Sequence, residues 1–149
     1  MSIEFIENIE SLNIFDYSCI KKWLDESIVN EGFSVGTLTF VIMSDEDLLD
    51  YNRKFLSHDY YTDVITFDDS NGKEISGDVL ISWDRINDNA KTMNVGYLNE
   101  FLRVVIHGVL HLCGYKDKLE EDIKIMRKKE SFYLDRIDED SIVSRETFG

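Results

Sequence analysis

Cysteine is almost missing from this chain: Cys19 and Cys113 are the two present in 149 residues. That excludes a disulfide framework and makes a reducing compartment, the cytoplasm, the expected location. No apolar run approaches the roughly 18 residues of a membrane-spanning helix. The N-terminal Met-Ser-Ile-Glu-Phe-Ile-Glu lacks a basic stretch, so no secretory signal is expected. Proline is absent altogether, which by itself excludes nothing. Positive charge is scarce as well, with 16 Lys and Arg against 30 Asp and Glu and a formal net charge of −14. Such a balance argues against tight, nonspecific binding to nucleic acid, which depends on many Lys and Arg contacts to phosphates. Any phosphate substrate must therefore be met by a local patch or by a metal ion.

What is present describes an ordinary globule, 43% hydrophobic and 31% charged. No repeat, linker or low-complexity segment divides it, so residues 1–149 form a single domain, with an acidic C-terminal tail from about 137 expected to be partly loose. Ile3 to Ile6 reads as a short first strand. Asp16 to Asn30 has helical apolar spacing at Ile20, Trp23, Leu24 and Ile28, with Gly32 placed to stop it. Gly36 to Met43 is β-branched and aromatic, as strands are. Ser44-Asp45-Glu46-Asp47 resembles a capping box opening a helix through about Phe55. Thr62 to Phe67 and Ile75 to Trp83 read as a hairpin around Asn71-Gly72. A polar helix follows from about Asp84 to Met93. The helix predicted over Asn99 to Cys113 is apolar nearly all round, which marks it as the buried central one. Leu119 to Asp135 makes a last charged, amphipathic helix.

The most informative run is His107-Gly108-Val109-Leu110-His111-Leu112-Cys113-Gly114-Tyr115-Lys116-Asp117. Residues four apart on a helix lie on one face, so both imidazoles can reach one ion. Gly114 tolerates the left-handed turn that ends helices, and a chain turning back there can bring Asp117 round as a third ligand. Three protein ligands leave a fourth position for water, the layout of a catalytic zinc site. Two blander explanations stand beside this. The histidines could be a hydrogen-bonded core pair, and Asp117 could be the N-cap of a helix starting near Lys118. Gly108 also occupies the position where His-Glu-x-x-His proteases carry their general base, so a peptidase of that plan would lack it.

A second polar cluster joins Asn52, Arg53 and Lys54 to His58, Asp59, Thr62 and Asp63, at a helix end and the loop after it. Functional groups often collect in such places, although solvated surface charge has the same composition. Gly77 inside a strand marks either a bulge or the close approach of another backbone. Cys113, two residues from His111, points to another helix face and reads as core.

His107-Gly-x-Leu-His111-Leu-x-Gly114-Tyr115 resembles the signature of the YbeY family, metal-dependent endoribonucleases of bacterial rRNA maturation. Asn52, Thr62, Asp63, Val64 and Phe67 are similar to a second family block, and Gly77-Asp78-Val79-Leu80-Ile81-Ser82 to a third. The resemblance runs from about Thr37 to Asp135. It departs in two places. Asp117 stands where the family has its third histidine, with Lys116 before it in place of aspartate. Leu56 occupies the slot of an arginine important for activity.

The resemblance implies an α+β domain: a small mixed sheet of about four strands, packed with helices around the central one that carries the histidines. It implies a cytoplasmic, single-strand-specific endoribonuclease acting in 16S rRNA 3′-end maturation and ribosome quality control. Its partners would be rRNA, ribosomal particles and ribosomal or ribosome-associated proteins. One zinc ion held by His107, His111 and Asp117 would activate water. His58 is the candidate for proton transfer, Arg53 and Lys54 are candidates to hold phosphate, and Arg53 or His58 would stand in for the family arginine. A zinc hydrolase of another class, acting on peptides or small molecules, and a non-catalytic ribosome-associated factor are the alternatives.

Overall fold

The computed structural model describes residues 2–9 and 16–142. Its elements are β1 (Ser2–Glu7), α1 (Tyr17–Asn30), β2 (Ser34–Met43), α2 (Asp45–Leu56), β3 (Val64–Asp68), β4 (Glu74–Ser82), α3 (Trp83–Met93), α4 (Tyr97–Leu112) and α5 (Glu120–Leu134). The architecture is the expected α+β domain with a mixed four-stranded sheet, ordered β1-β2-β4-β3. β2 pairs in parallel with β1 and with β4, while β3 runs antiparallel to β4. The β3–β4 hairpin turns at Gly72 and Lys73, closed by a backbone pair between Asn71 and Glu74. Gly77 marks a close approach: a Cβ there would fall 2.2 Å from the Phe67 carbonyl oxygen on the neighbouring strand.

Alternation along the strands decides what lies on each face, because successive side chains point to opposite sides. Leu38, Phe40, Ile42, Val79 and Ile81 join Ile20, Leu24 and Ile28 of α1 and the apolar side of α4 in the main core. Met43, Ile65 and Leu80, interleaved with them, face the other way and pack with Leu48 of α2. The central helix therefore sits on the more heavily covered face. Ten of its sixteen residues are buried, including Phe101, Leu102, Val105, Ile106, Val109 and Leu110. At Gly108 a Cβ would lie 2.9 Å from Val79 Cγ1 and 3.5 Å from the Thr66 methyl, so the missing side chain lets α4 press onto β3 and β4.

Of the acidic tail, the part through residue 142 is packed and not loose. Asp138 caps a short 3-10 turn at Glu139–Ser141, and Ile142 is fully buried in the main core. Its carbonyl accepts from Asp16 N at 2.7 Å, which ties the tail to the start of α1. The remainder of the tail lies outside the described residues. Among the described residues, no helix is long and apolar enough to cross a membrane.

Candidate metal centre

Helix α4 is apolar on most sides, but Glu100, Arg103, His107 and His111 follow at spacings of three, four and four. Those spacings stack them in one stripe along the helix. The stripe faces α5 and the loop between the two helices. That loop begins at a Schellman turn: Tyr115 N donates to Leu110 O at 3.0 Å, and Gly114 N to His111 O at 3.0 Å. Gly114 takes φ +104°, a conformation L side chains seldom adopt. The turn carries the Tyr115 carbonyl back over the last helical turn, where it accepts from His111 Nδ1 at 2.9 Å. The capping geometry itself thus fixes the second imidazole.

Two residues on, Asp117 enters the same space. Its Oδ2 lies 3.2 Å from His107 Nε2 and 3.3 Å from His111 Nε2, and the two Nε2 atoms are 3.0 Å apart. Zinc–ligand bonds of about 2.0–2.1 Å at tetrahedral angles set ligand atoms about 3.3 Å apart. Asp117 is not a helix cap, because α5 starts at Glu120 with Leu119 in the N-cap position.

The outer ring nitrogens decide what the inner ones offer. His107 Nδ1 meets Glu130 Oε2 of α5 at 2.6 Å, and His111 Nδ1 meets a carbonyl; both partners accept. Burial pushes the Glu130 carboxyl up, but the His107 hydrogen bond and the Arg103 and Arg127 charges outweigh it and hold it below its ordinary value. With each ring's proton on Nδ1, both Nε2 atoms present lone pairs toward the Asp117 carboxylate. Three electron-pair donors converge with no proton between them, and a cation satisfies all three. His107, His111 and Asp117 can hold a metal ion.

Behind this triad lies a charged cluster. Arg103 forks onto Glu100, Nε to Oε1 at 2.7 Å and Nη2 to Oε2 at 2.6 Å, and reaches Glu130 Oε1 at 3.3 Å and Asp63 Oδ2 at 3.7 Å. Glu100 and Glu130 are buried, at 0% and 2% exposure, so their charges depend on this arginine. Burial drives the Asp63 carboxyl above its usual value despite Arg103 and His107. Burial also pushes the Cys113 thiol up to about 12, so it stays protonated as a core residue beside the site.

The family model for Endoribonuclease YbeY matches residues 6–138. The chain belongs to the YbeY family. Relatives named Endoribonuclease YbeY include one from Cytophaga hutchinsonii, 48% identical over 116 residues, covering 77% of this chain and 81% of that protein. Another, from Parabacteroides distasonis, is 38% identical over 131 residues, covering 88% and 92%. The solution structure of TM1509 from Thermotoga maritima shares the fold at a TM-score of 0.65 and 26% identity, over 90% of this chain and 87% of that one.

The triad sets one carboxylate oxygen beside two imidazole nitrogens. The second polar cluster is organised differently. Asn52 is buried, and its side-chain amide donates to Tyr60 O at 2.9 Å, shaping the loop after α2. Leu56 ends α2, 40% exposed. His58 Nδ1 bonds the Tyr60 hydroxyl at 2.8 Å, and Arg53 Nε bonds Asp59 at 2.5 Å. Among the described residues, no hydrogen bond or ion pair joins His58 or Arg53 to the triad. The loop's link to the site is its last residue, Asp63, through Arg103.

Sequence reasoning missed Glu100, Arg103 and Glu130. A signal existed for each. Charged residues on an otherwise buried helix, in register with the histidines, mark a polar stripe facing protein. On α5, Met126, Glu130 and Tyr133 form the buried row, so an acid stands where an apolar residue belongs.

Proposed function

We propose that this protein is a zinc-dependent endoribonuclease that cleaves single-stranded rRNA in the cytoplasm, in 16S rRNA 3′-end maturation and ribosome quality control. The observation that carries the proposal is the convergence of His107 Nε2, His111 Nε2 and an Asp117 oxygen, in a member of the YbeY family. Ribosomal particles and ribosome-associated proteins are the partners that this role implies.

His107, His111 and Asp117 hold the ion. When bound, zinc supplies a Lewis acid for the phosphoryl group and lowers the pKa of water toward about 7. Glu130 and the Tyr115 carbonyl keep both rings in the tautomer that offers Nε2. His58, on the loop anchored by Asp63, is assigned the proton transfer, the role imidazoles most often take in general acid–base catalysis. Arg53, in the last turn of α2 beside that loop, meets a flanking phosphate of the RNA and not the one at the metal. A peptidase on the His-Glu-x-x-His plan has no place for its base, because a side chain at 108 would strike Val79.

The test sets wild type, Asp117→Ala and Asp117→Asn side by side for metal content, melting temperature and cleavage of single-stranded RNA and casein. Both variants should fold and lose zinc and RNA cleavage together, since two protein ligands are too few for a tight site. Stoichiometric zinc in both would remove Asp117 from the site. Casein cleavage without RNA cleavage by wild type would overturn the nuclease reading.

A further inference from the structure

Beside the triad, a cavity of about 180 Å³ opens between α4 and α5, lined by His107, Asp117, Ile123, Met126, Arg127 and Glu130. Arg127 is its one cationic lining residue among those described, with a side chain 57% exposed. Residues 123, 126, 127 and 130 of α5 share a face, and Arg127 stands one turn before the Glu130 that holds His107. From the geometry we infer that Arg127 is the residue that grips the substrate's phosphodiester in this cleft. The inference rests on the endoribonuclease reading and names a contact that reading leaves open.

Three observations favour Arg127 over the other cations. First, it lines the same cavity as two of the triad residues, whereas Arg53 and Lys54 do not line it and are bound to Asp59 and Asp50. Second, its charge is not taken up by a private partner. Its Nη1 reaches Glu130 Oε1 at 3.3 Å, but that oxygen also receives Arg103, and the other oxygen receives His107. Guanidinium carries five N–H donors in a planar fork that matches two oxygens of a phosphate, and four of them remain for a ligand. Third, the local charge requires it. Glu100, Glu130, Asp63 and Asp117 bring four carboxylates against the two guanidiniums of Arg103 and Arg127. A divalent ion makes that cluster neutral, so without Arg127 an incoming phosphodiester meets a net negative site. In a chain of net charge −14, no general positive field compensates.

The experiment compares metal-loaded wild type, Arg127→Ala, Arg127→Lys and the exposed control Lys128→Ala. Binding to an uncleavable 2′-O-methyl oligoribonucleotide is followed by anisotropy across a salt series, with zinc content and cleavage kinetics measured in parallel. Arg127→Ala should keep its zinc, bind about tenfold more weakly (about 1.4 kcal/mol) and raise KM more than it lowers kcat. Its log–log salt slope should shrink by about 0.7, the share of one single-strand contact. Arg127→Lys should recover the slope and only part of the affinity, because a point charge replaces a fork. Lys128→Ala should match wild type. An unchanged slope and affinity in Arg127→Ala, with wild type cleaving RNA, overturns the inference and leaves the nuclease reading standing. Zinc lost from Arg127→Ala overturns it too, since the residue would then act through Glu130 on the metal. Wild type that neither binds nor cleaves overturns both.

Discussion

The two imidazoles of the candidate metal centre are held from opposite sides by different physics. His107 leans on a buried side-chain charge: Glu130, itself pinned by Arg103 and backed by Glu100. His111 leans on a backbone carbonyl delivered by a helix-ending turn. The first half is costly to assemble, since two buried carboxylates need their arginine, and one substitution can break it. The second half holds its imidazole through a backbone carbonyl and depends on one glycine. A site built this way should fail steeply on the α5 side and gently on the loop side.

Glu130→Ala gives the largest expected effect. It strands the His107 Nδ1–H and takes one of Arg103's carboxylates away. We expect about 3 kcal/mol of lost stability in urea, the lower end for a broken buried pair because Glu100 still holds Arg103. Metal affinity should fall about 10–100-fold. A variant with wild-type stability and zinc affinity would show that the charged half carries no such burden.

Metal removal tests both halves together, because the ion would tie α4 to the loop carrying Asp117 and bind the native state alone. At free zinc near 100 times Kd the stabilisation is about 2.7 kcal/mol. EDTA should therefore lower the melting temperature by several degrees, and zinc should restore it. An identical melting curve for metal-free protein would sever the ion from the fold.

Gly114→Ala probes the loop half. At φ +104° an alanine is strained by about 1–2 kcal/mol. Stability should drop by that amount in chemical denaturation, and zinc affinity by less than in Glu130→Ala. The reverse ranking of the two zinc affinities would invert the comparison.

The smallest effect belongs to Glu31, the foot of the loop half. It accepts from Tyr115 and Tyr133 hydroxyls and from Lys129, which together outweigh burial and hold its carboxyl below the usual 4.5. A depressed folded value means stability that is complete above about 4.5 and lost as pH falls through the lower folded value. Glu31→Gln, measured without metal, should flatten that acid limb by lowering neutral stability by the amount that wild type loses through it, with little change at the acid end. An acid limb as steep as in wild type would discount the contribution.

Much of this could be read without coordinates. The four-residue spacing of His107 and His111, the stop at Gly114 and the return of Asp117 are local facts of helix geometry, and local geometry is what a sequence displays. The strands and helices were legible for the same reason, with α4 beginning at Tyr97 and not Asn99 because Gly96 serves as its N-cap. What stayed hidden was pairing across elements. Glu130 reads as surface within a charged helix until α5 is laid on α4. Ile142 looked like part of a loose tail until its burial in the core was seen.

The close seat of Gly108 on Val79 has a further consequence. Apolar helices can slide along an apolar sheet at little cost, since one greasy turn replaces another. Here the bare glycine acts as an indexing notch. Shifted one turn along its axis, about 5.4 Å, α4 would bring Val104 or Leu112 to the spot where only hydrogen fits, and would carry both imidazoles out of reach of Asp117. The depth of a single position therefore sets the longitudinal registration of the whole site.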